Sequence, residues 1–277
     1  MNPTHSYDIP AELIQQVIDN VDDPADLATL TRCSKFFQAE SERLLYRSMT
    51  RKSGTTHFKF FSTILKKPRL ASMVEVYHRH SDPHAQRRPL TTLIIRALPL
   101  MTNLKELVFG QDAVPLNMRG LPAFIGPKCS FQLEKLVAAE GYVGYDEIIM
   151  TVLSSNLSQT LKSLHWPYST HSFRALLTTN VIPQLTSFTG CLLLLKYLLP
   201  GRNIVSLKST TDESAIRDMS YYQCVEAELG RVTSFCLTNH WEPGTNAHQF
   251  FKLMPALQTV EIRDLTLEVS HAQLVQV

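Results

Sequence analysis

Residues 103–110 read NLKELVFG, and the same short form returns along the chain. A leucine is followed two residues later by alternating apolar and polar positions. The related segments are MVEVYHR from Met73, QLEKLVAA from Gln132, TLKSLHWP from Thr160, QLTSFTG from Gln184, NIVSLKS from Asn203, RVTSFCLTN from Arg231 and ALQTVEIRD from Ala256. Aligning the second apolar residue puts Leu107, Leu136, Leu164, Phe188, Leu207, Phe235 and Val260 in one column, at steps of 29, 28, 24, 19, 28 and 25 residues. Four or five alternating residues make a strand that must be covered on one face. Helix candidates lie between the segments, at residues 90–101, 120–125, 145–155, 172–179, 192–199, 221–229 and 247–254. A helix after each strand covers its apolar face and returns the chain in the same direction, the crossover that parallel strands require. Repeating the unit builds one parallel sheet with helices outside. The fold class is therefore α/β. A conventional doubly wound α/β domain is the alternative, and the short helices and regular period weigh against it.

The N-terminal stretch, residues 9–46, has a different texture: IPAELIQQVIDNVDDPADLATLTRCSKFFQAESERLLY. Pro10 suits a helix start, where its missing N–H has no intrahelical partner to lose. Leu13, Ile14, Val17, Ile18 and Val21 recur at helical spacing. Asp22-Asp23-Pro24 breaks that helix and starts another, with an aspartate as cap and Pro24 in the first position. Leu27, Leu30, Cys33 and Phe37 continue the second helix, and Ser41 begins a third. Three helices in about forty residues bury too little to stand comfortably alone. A bridge comes next, with a helix over residues 57–65 that Pro68 stops.

The ordered set in this stretch resembles an F-box. Ile9, Pro10, Glu12, Leu13 and Ile14 match the opening hydrophobic-Pro-x-Glu-Leu-hydrophobic run. Ile18, then Asp26, Leu27 and Leu30, then Cys33 with Phe36, and finally Leu45-Tyr46 match the later positions of the family pattern. The segments after residue 70 resemble degenerate leucine-rich repeats: Leu104, Leu107 and Phe109 fit the signature, while its Asn/Cys turn residue is mostly missing, Asn239 being the best survivor. The combination is similar to the F-box/leucine-rich-repeat families of fungi. It implies an N-terminal three-helix F-box (residues 1–50), a helical linker (51–69) and a solenoid of curved parallel sheet with outer helices (70–277). Residues 264–277 either pack a closing strand through Leu265, Leu267 and Val269 or leave the solenoid short.

Functionally, the resemblance implies a substrate-recognition subunit of an SCF-type ubiquitin ligase, without catalysis or cofactor of its own. The Skp adaptor, and cullin through it, is expected on Ile9, Pro10, Leu13, Ile14, Ile18, Leu27, Leu30, Phe36, Leu45 and Tyr46. A protein target that the sequence does not name is expected on the concave face. There period-2 alternation turns outward Glu106, Val108, Lys135, Ser163, His165, Ser187, Lys208, Ser234 and Glu261, and the loops after the strands add Trp166, Tyr168 and Trp241. Of these, Glu106, Lys135, His165, Trp166, Lys208 and Trp241 are the leading contacts. The competing readings are an adaptor-bound scaffold outside ubiquitination, a hydrolase-like α/β enzyme, and an ordinary helical subdomain packed on its own chain.

Composition narrows the classes. A net charge of +2 argues against nucleic acid or an anionic membrane as the main partner. Five cysteines, none in a C-x-x-C pair, fit the reduced thiols of cytoplasm or nucleus. The start, MNPTHSYDIP, lacks the basic and apolar regions of a secretory signal. The most apolar run, residues 191–200, is far shorter than the roughly 20 residues a membrane span needs, and Lys196 interrupts it. His78, His80 and His84 beside Asp82 read as a solvated polar loop rather than a metal site. Cys224 and Cys236, near His240, read as packing residues. Phosphate-binding loops, nucleophile elbows and H-E-x-x-H are absent from the sequence, so no catalytic constellation is expected.

Overall fold

The computed structural model describes residues 10–50, 53–79, 87–110, 129–138, 151–167, 181–210, 220–237, 247–262 and 273–276. Three helices come first: α1 (Ala11–Asp19), α2 (Pro24–Leu30) and α3 (Lys35–Arg47). Asp23 caps α2 by accepting from the Ala25 amide, with Pro24 in the first position. The second helix ends earlier than the expected run through Phe37. Residues 31–33 form a turn, and the Ser34 hydroxyl accepts from Phe37 N at 3.2 Å, starting α3 well before Ser41. A local serine cap thus overrides a continuous apolar period.

Ten strands then form one sheet in sequence order. They are β1 (Ser48–Met49), β2 (Val76–Arg79), β3 (Glu106–Phe109), β4 (Lys135–Ala138), β5 (Ser163–Trp166), β6 (Ser187–Gly190), β7 (Ser206–Ser209), β8 (Ser234–Leu237), β9 (Thr259–Ile262) and β10 (Gln273–Gln276). All neighbours are parallel except β10, which pairs antiparallel with β9. The column read from the sequence is the register itself: Leu107, Leu136, Leu164, Phe188, Leu207, Phe235 and Val260 are successive cross-strand partners. The expected closing residues Leu265, Leu267 and Val269 lie outside the described residues.

Burial alternates along the strands, with the second and fourth residues of β2, β3, β5, β6 and β7 buried. These pack with helix residues in one continuous core running from Met49 to Met254. Of the segment 51–69, expected as a linker, the described residues 53–69 contribute to that core. Helix α4 (Gly54–Lys66) fully buries Phe61 and Ile64, and α5 (Pro68–Ala71) buries Leu70 and Ala71, so they are the sheet's first cover helices. Helix α6 (Arg87–Ala97) does the same through Leu90 and Ile94. Of the expected helices, residues 120–125 and 172–179 lie outside the described residues. The run 221–229 is two short helices, Ser220–Gln223 and Glu226–Leu229.

Neighbouring units are joined at the strand starts by a repeated backbone bond. The carbonyl before each strand accepts two amides from the next unit: Glu75 O takes Lys105 N and Glu106 N, Lys105 O takes Glu134 N and Lys135 N, and the pattern continues through Glu134, Lys162, Thr186, Val205 and Thr233. Hydroxyls add to it, with Thr186 Oγ1 donating to Lys162 O and Thr233 Oγ1 to Val205 O, both at 3.2 Å. Charges at the same level alternate in sign: Arg47 and Lys105 flank Glu75, and Lys162 pairs with Glu134 at 3.1 Å. The shortest step, 19 residues from Phe188 to Leu207, leaves room only for a tight turn (Leu192–Leu194) and one helical turn (Leu195–Leu198). Arg202, 1 % exposed, holds it together by donating to the carbonyls of Ile182, Leu198 and Pro200 at 3.2, 2.8 and 3.2 Å.

Candidate functional site

Two surfaces emerge. The first is on α1–α3. Of the described large hydrophobic side chains, Leu13, Val17, Phe36 and Phe58 are the exposed ones, at 52, 66, 39 and 45 %. Three of these four sit on the N-terminal helices. Leu13 and Val17 lie four residues apart and share one face of α1. Pro10 is exposed, and Ile14, Leu30, Leu45 and Tyr46 are half-buried. Ile18 (0 %) and Leu27 (5 %) are different: they are the small interior of the three-helix unit and are not free to touch an adaptor, which corrects the expectation for both. The sequence period cannot separate Ile18 from Leu13 and Val17, because the stripe on α1 is wide enough to face both inward and outward. Val17, absent from the expected set, is the most exposed of these side chains. Ile9 lies outside the described residues.

This unit's interior is separate from the main core, which contains neither Ile18 nor Leu27. Its attachment combines a polar and an aromatic contact. Glu42, 8 % exposed, takes hydrogen bonds from Gln38 at 3.2 Å and from Arg69 on α5. Burial works against the Glu42 carboxylate, but the bonds from Arg69 and Gln38 outweigh it and hold the group below its ordinary range. Tyr46 stacks on Phe60 at 5.9 Å. Between α1–α3 and α4 lies a cleft of about 510 Å³, floored by Leu27, Leu44, Leu45 and Phe60 and edged by Asp22 and Lys59.

The second surface is the open face of the sheet, the first and third residue of each strand. One row runs Glu106, Lys135, Ser163, Ser187, Ser206, Ser234, Thr259, each the register partner of the next. The adjoining row runs His78, Val108, Val137, His165, Thr189, Lys208, Cys236, Glu261. The expected contacts Glu106, Lys135, His165 and Lys208 are therefore brought to one face. Glu106 is engaged from both sides, by His78 Nε2 and Lys135 Nζ, each at 2.7 Å. Burial opposes its charge, yet these two bonds keep its carboxyl below the usual carboxylate range. His165 is pushed down to about 4, by burial first and by nearby Lys208 second, and its buried Nε2 has no hydrogen-bond partner among the described residues.

Trp166 belongs on the other side. It is the fourth residue of β5, 0 % exposed and packed in the main core, so it is not a target contact; period-2 alternation carries it inward. Its expected companions Tyr168 and Trp241 lie outside the described residues, as do Asn239, His240, His80, Asp82 and His84. Among the described residues no helix is long and apolar enough to cross a membrane.

No protein-family model matches the sequence, and no curated protein matches it. Among solved structures, the chain is similar to a protein from Bacteroides fragilis known from its crystal structure, at 13 % identity and a TM-score of 0.47, over 83 % of this chain and 68 % of that one.

Proposed function

We propose that the chain is a substrate receptor of an SCF-type ubiquitin ligase, with α1–α3 acting as an F-box that docks the Skp adaptor and the sheet's open face holding a protein target. The observation that carries this reading is the placement of Leu13, Val17 and Phe36. Large apolar side chains are left in water on a helical unit whose own interior is separate from the main core. Exposed apolar faces of this kind mark interaction sites. The sheet on this reading is a degenerate leucine-rich-repeat solenoid, and its action is proximity: it raises the effective concentration of the target beside the ubiquitin-carrying enzyme.

Co-purification of the full chain with the Skp adaptor and cullin tests this. Binding is expected for the wild type and lost in Leu13→Asp and Val17→Asp, which place a charge on exposed sites and leave folding intact by circular dichroism. A wild-type chain that fails to bind the adaptor refutes the proposal. Adaptor binding without cullin recruitment would instead assign the scaffold role outside ubiquitination.

A further inference from the structure

We infer that the open sheet face over β5–β8 binds an extended polypeptide through one acidic side chain, seating its carboxylate beside Lys208 among the hydroxyls of Thr189, Ser187 and Ser206. This rests on the receptor reading above and specifies the chemistry of its target.

The two ends of the open face differ in what they leave unpaired. At β2–β4, His78, Glu106 and Lys135 satisfy one another. Across β5–β8, the hydroxyls of Ser163, Ser187, Thr189, Ser206 and Ser234 have no hydrogen-bond partner among the described residues, and the Lys208 ammonium has no ion pair there. All are half-exposed. Thr189 lies directly between His165 and Lys208 in register, and adjacent strands are about 4.8 Å apart. The result is a patch about 14 Å across, rich in donors, with one cation. His165 stays neutral at physiological pH, because burial and Lys208 both disfavour its charged form.

The charge count selects the ligand. One ammonium balances one carboxylate. A phosphate dianion calls for an arginine fork or several cations, and the described open face of β5–β8 carries a single lysine and no arginine. The hydroxyl row supplies donors from which a peptide's carboxylate and carbonyl oxygens can accept.

The test is fluorescence anisotropy on the full chain without adaptor, using fluorescein-labelled decapeptides of alternating alanine with glutamate, lysine, serine or phosphoserine. Tightest binding is expected for the glutamate probe, weakening at least about tenfold in Lys208→Met, the loss of a charge-assisted bond. Lys162→Met removes an equal charge beside the patch, on a lysine already paired with Glu134, and is expected to change binding less than about twofold. Equal binding of all probes, an unchanged Lys208→Met, or a phosphoserine probe that binds tighter than glutamate each overturns the inference. Since the adaptor is absent, failure here leaves the F-box reading untouched, and loss of adaptor binding leaves this result standing.

Discussion

Gly190→Ala tests the register more severely than any surface change. Gly190 ends β6 opposite Trp166 of β5. A Cβ built there falls 1.9 Å from the Trp166 carbonyl oxygen and 2.7 Å from Phe188 Cζ. The phenyl ring can rotate away, but the carbonyl is backbone in a hydrogen-bonded strand. Ordinary contact needs about 3.4 Å, so the strands must part by more than about an ångström from a spacing of about 4.8 Å. That weakens the ladder bonds at this end of β5–β6 and the bond from Thr210 N to Gly190 O, 3.2 Å long. Overpacking strain of about 1–3 kcal/mol plus one or two backbone bonds of about 1 kcal/mol each gives a loss of about 2–5 kcal/mol. Urea unfolding followed by circular dichroism measures it, as a lower midpoint at an unchanged slope. A loss under about 1 kcal/mol would refute the close approach of the two strands, and with it the register that pairs Trp166 with Gly190.

Arg202→Met removes the donor that serves the carbonyls of Ile182, Leu198 and Pro200 in the shortest repeat; a loss of about 3 kcal/mol in the same assay is expected, because those buried acceptors lose their partner. Tyr77 is fully buried edge-on to Phe61 at 5.2 Å, and its hydroxyl lacks a hydrogen-bond partner among the described residues, so Tyr77→Phe is expected to hold or raise stability by about 1 kcal/mol; a clear loss would reveal a partner for that hydroxyl. His165 has its pKa pushed down from 6.5 to about 4 in the folded chain, so between those values the unfolded chain binds the proton. Its contribution is complete above pH 6.5 and is lost as pH falls toward 4, on the order of 3 kcal/mol. His165→Gln should flatten the stability-against-pH curve in that window, and an identical curve would place the histidine in water.

The repeat column was legible because each of its members must face the same core. Leu107 through Val260 recur with enough regularity that helix lengths between them hardly matter, and all seven are register partners. The face of each strand residue was legible for the same reason, which places Glu106, Lys135, His165 and Lys208 together. Trp166 shows where residue type misled: an aromatic beside a proline reads as an exposed loop anchor, while the alternation that fixes His165 outward already fixes Trp166 inward. Ile18 was not separable from Leu13 and Val17, because periodicity gives a stripe but not which edge of it meets a neighbour. The linker expectation for 51–69 missed that α4 covers a sheet most of whose strands lie downstream, a contact that local sequence does not carry. Arg202 left no pattern at all; a lone arginine reads as surface until its carbonyl partners are brought around it.

The two surfaces depend on different cores, and this separates their tests. Leu13 and Val17 stand on a unit whose interior is Ile18 and Leu27, held to the sheet by Glu42 with Arg69 and by Tyr46 on Phe60. Lys208 and the serine row stand on the main sheet, whose core begins at Met49. Perturbations far apart with no shared partners add. A charge at Val17 should therefore leave peptide binding over β5–β8 unchanged, and Lys208→Met should leave adaptor binding unchanged. Coupling between them would mean that the junction at Glu42 and Tyr46 transmits strain, and Arg69→Met is the variant that isolates it. It strands a nearly buried carboxylate at the join without touching either surface, so any coupling that passes through the junction must change with it.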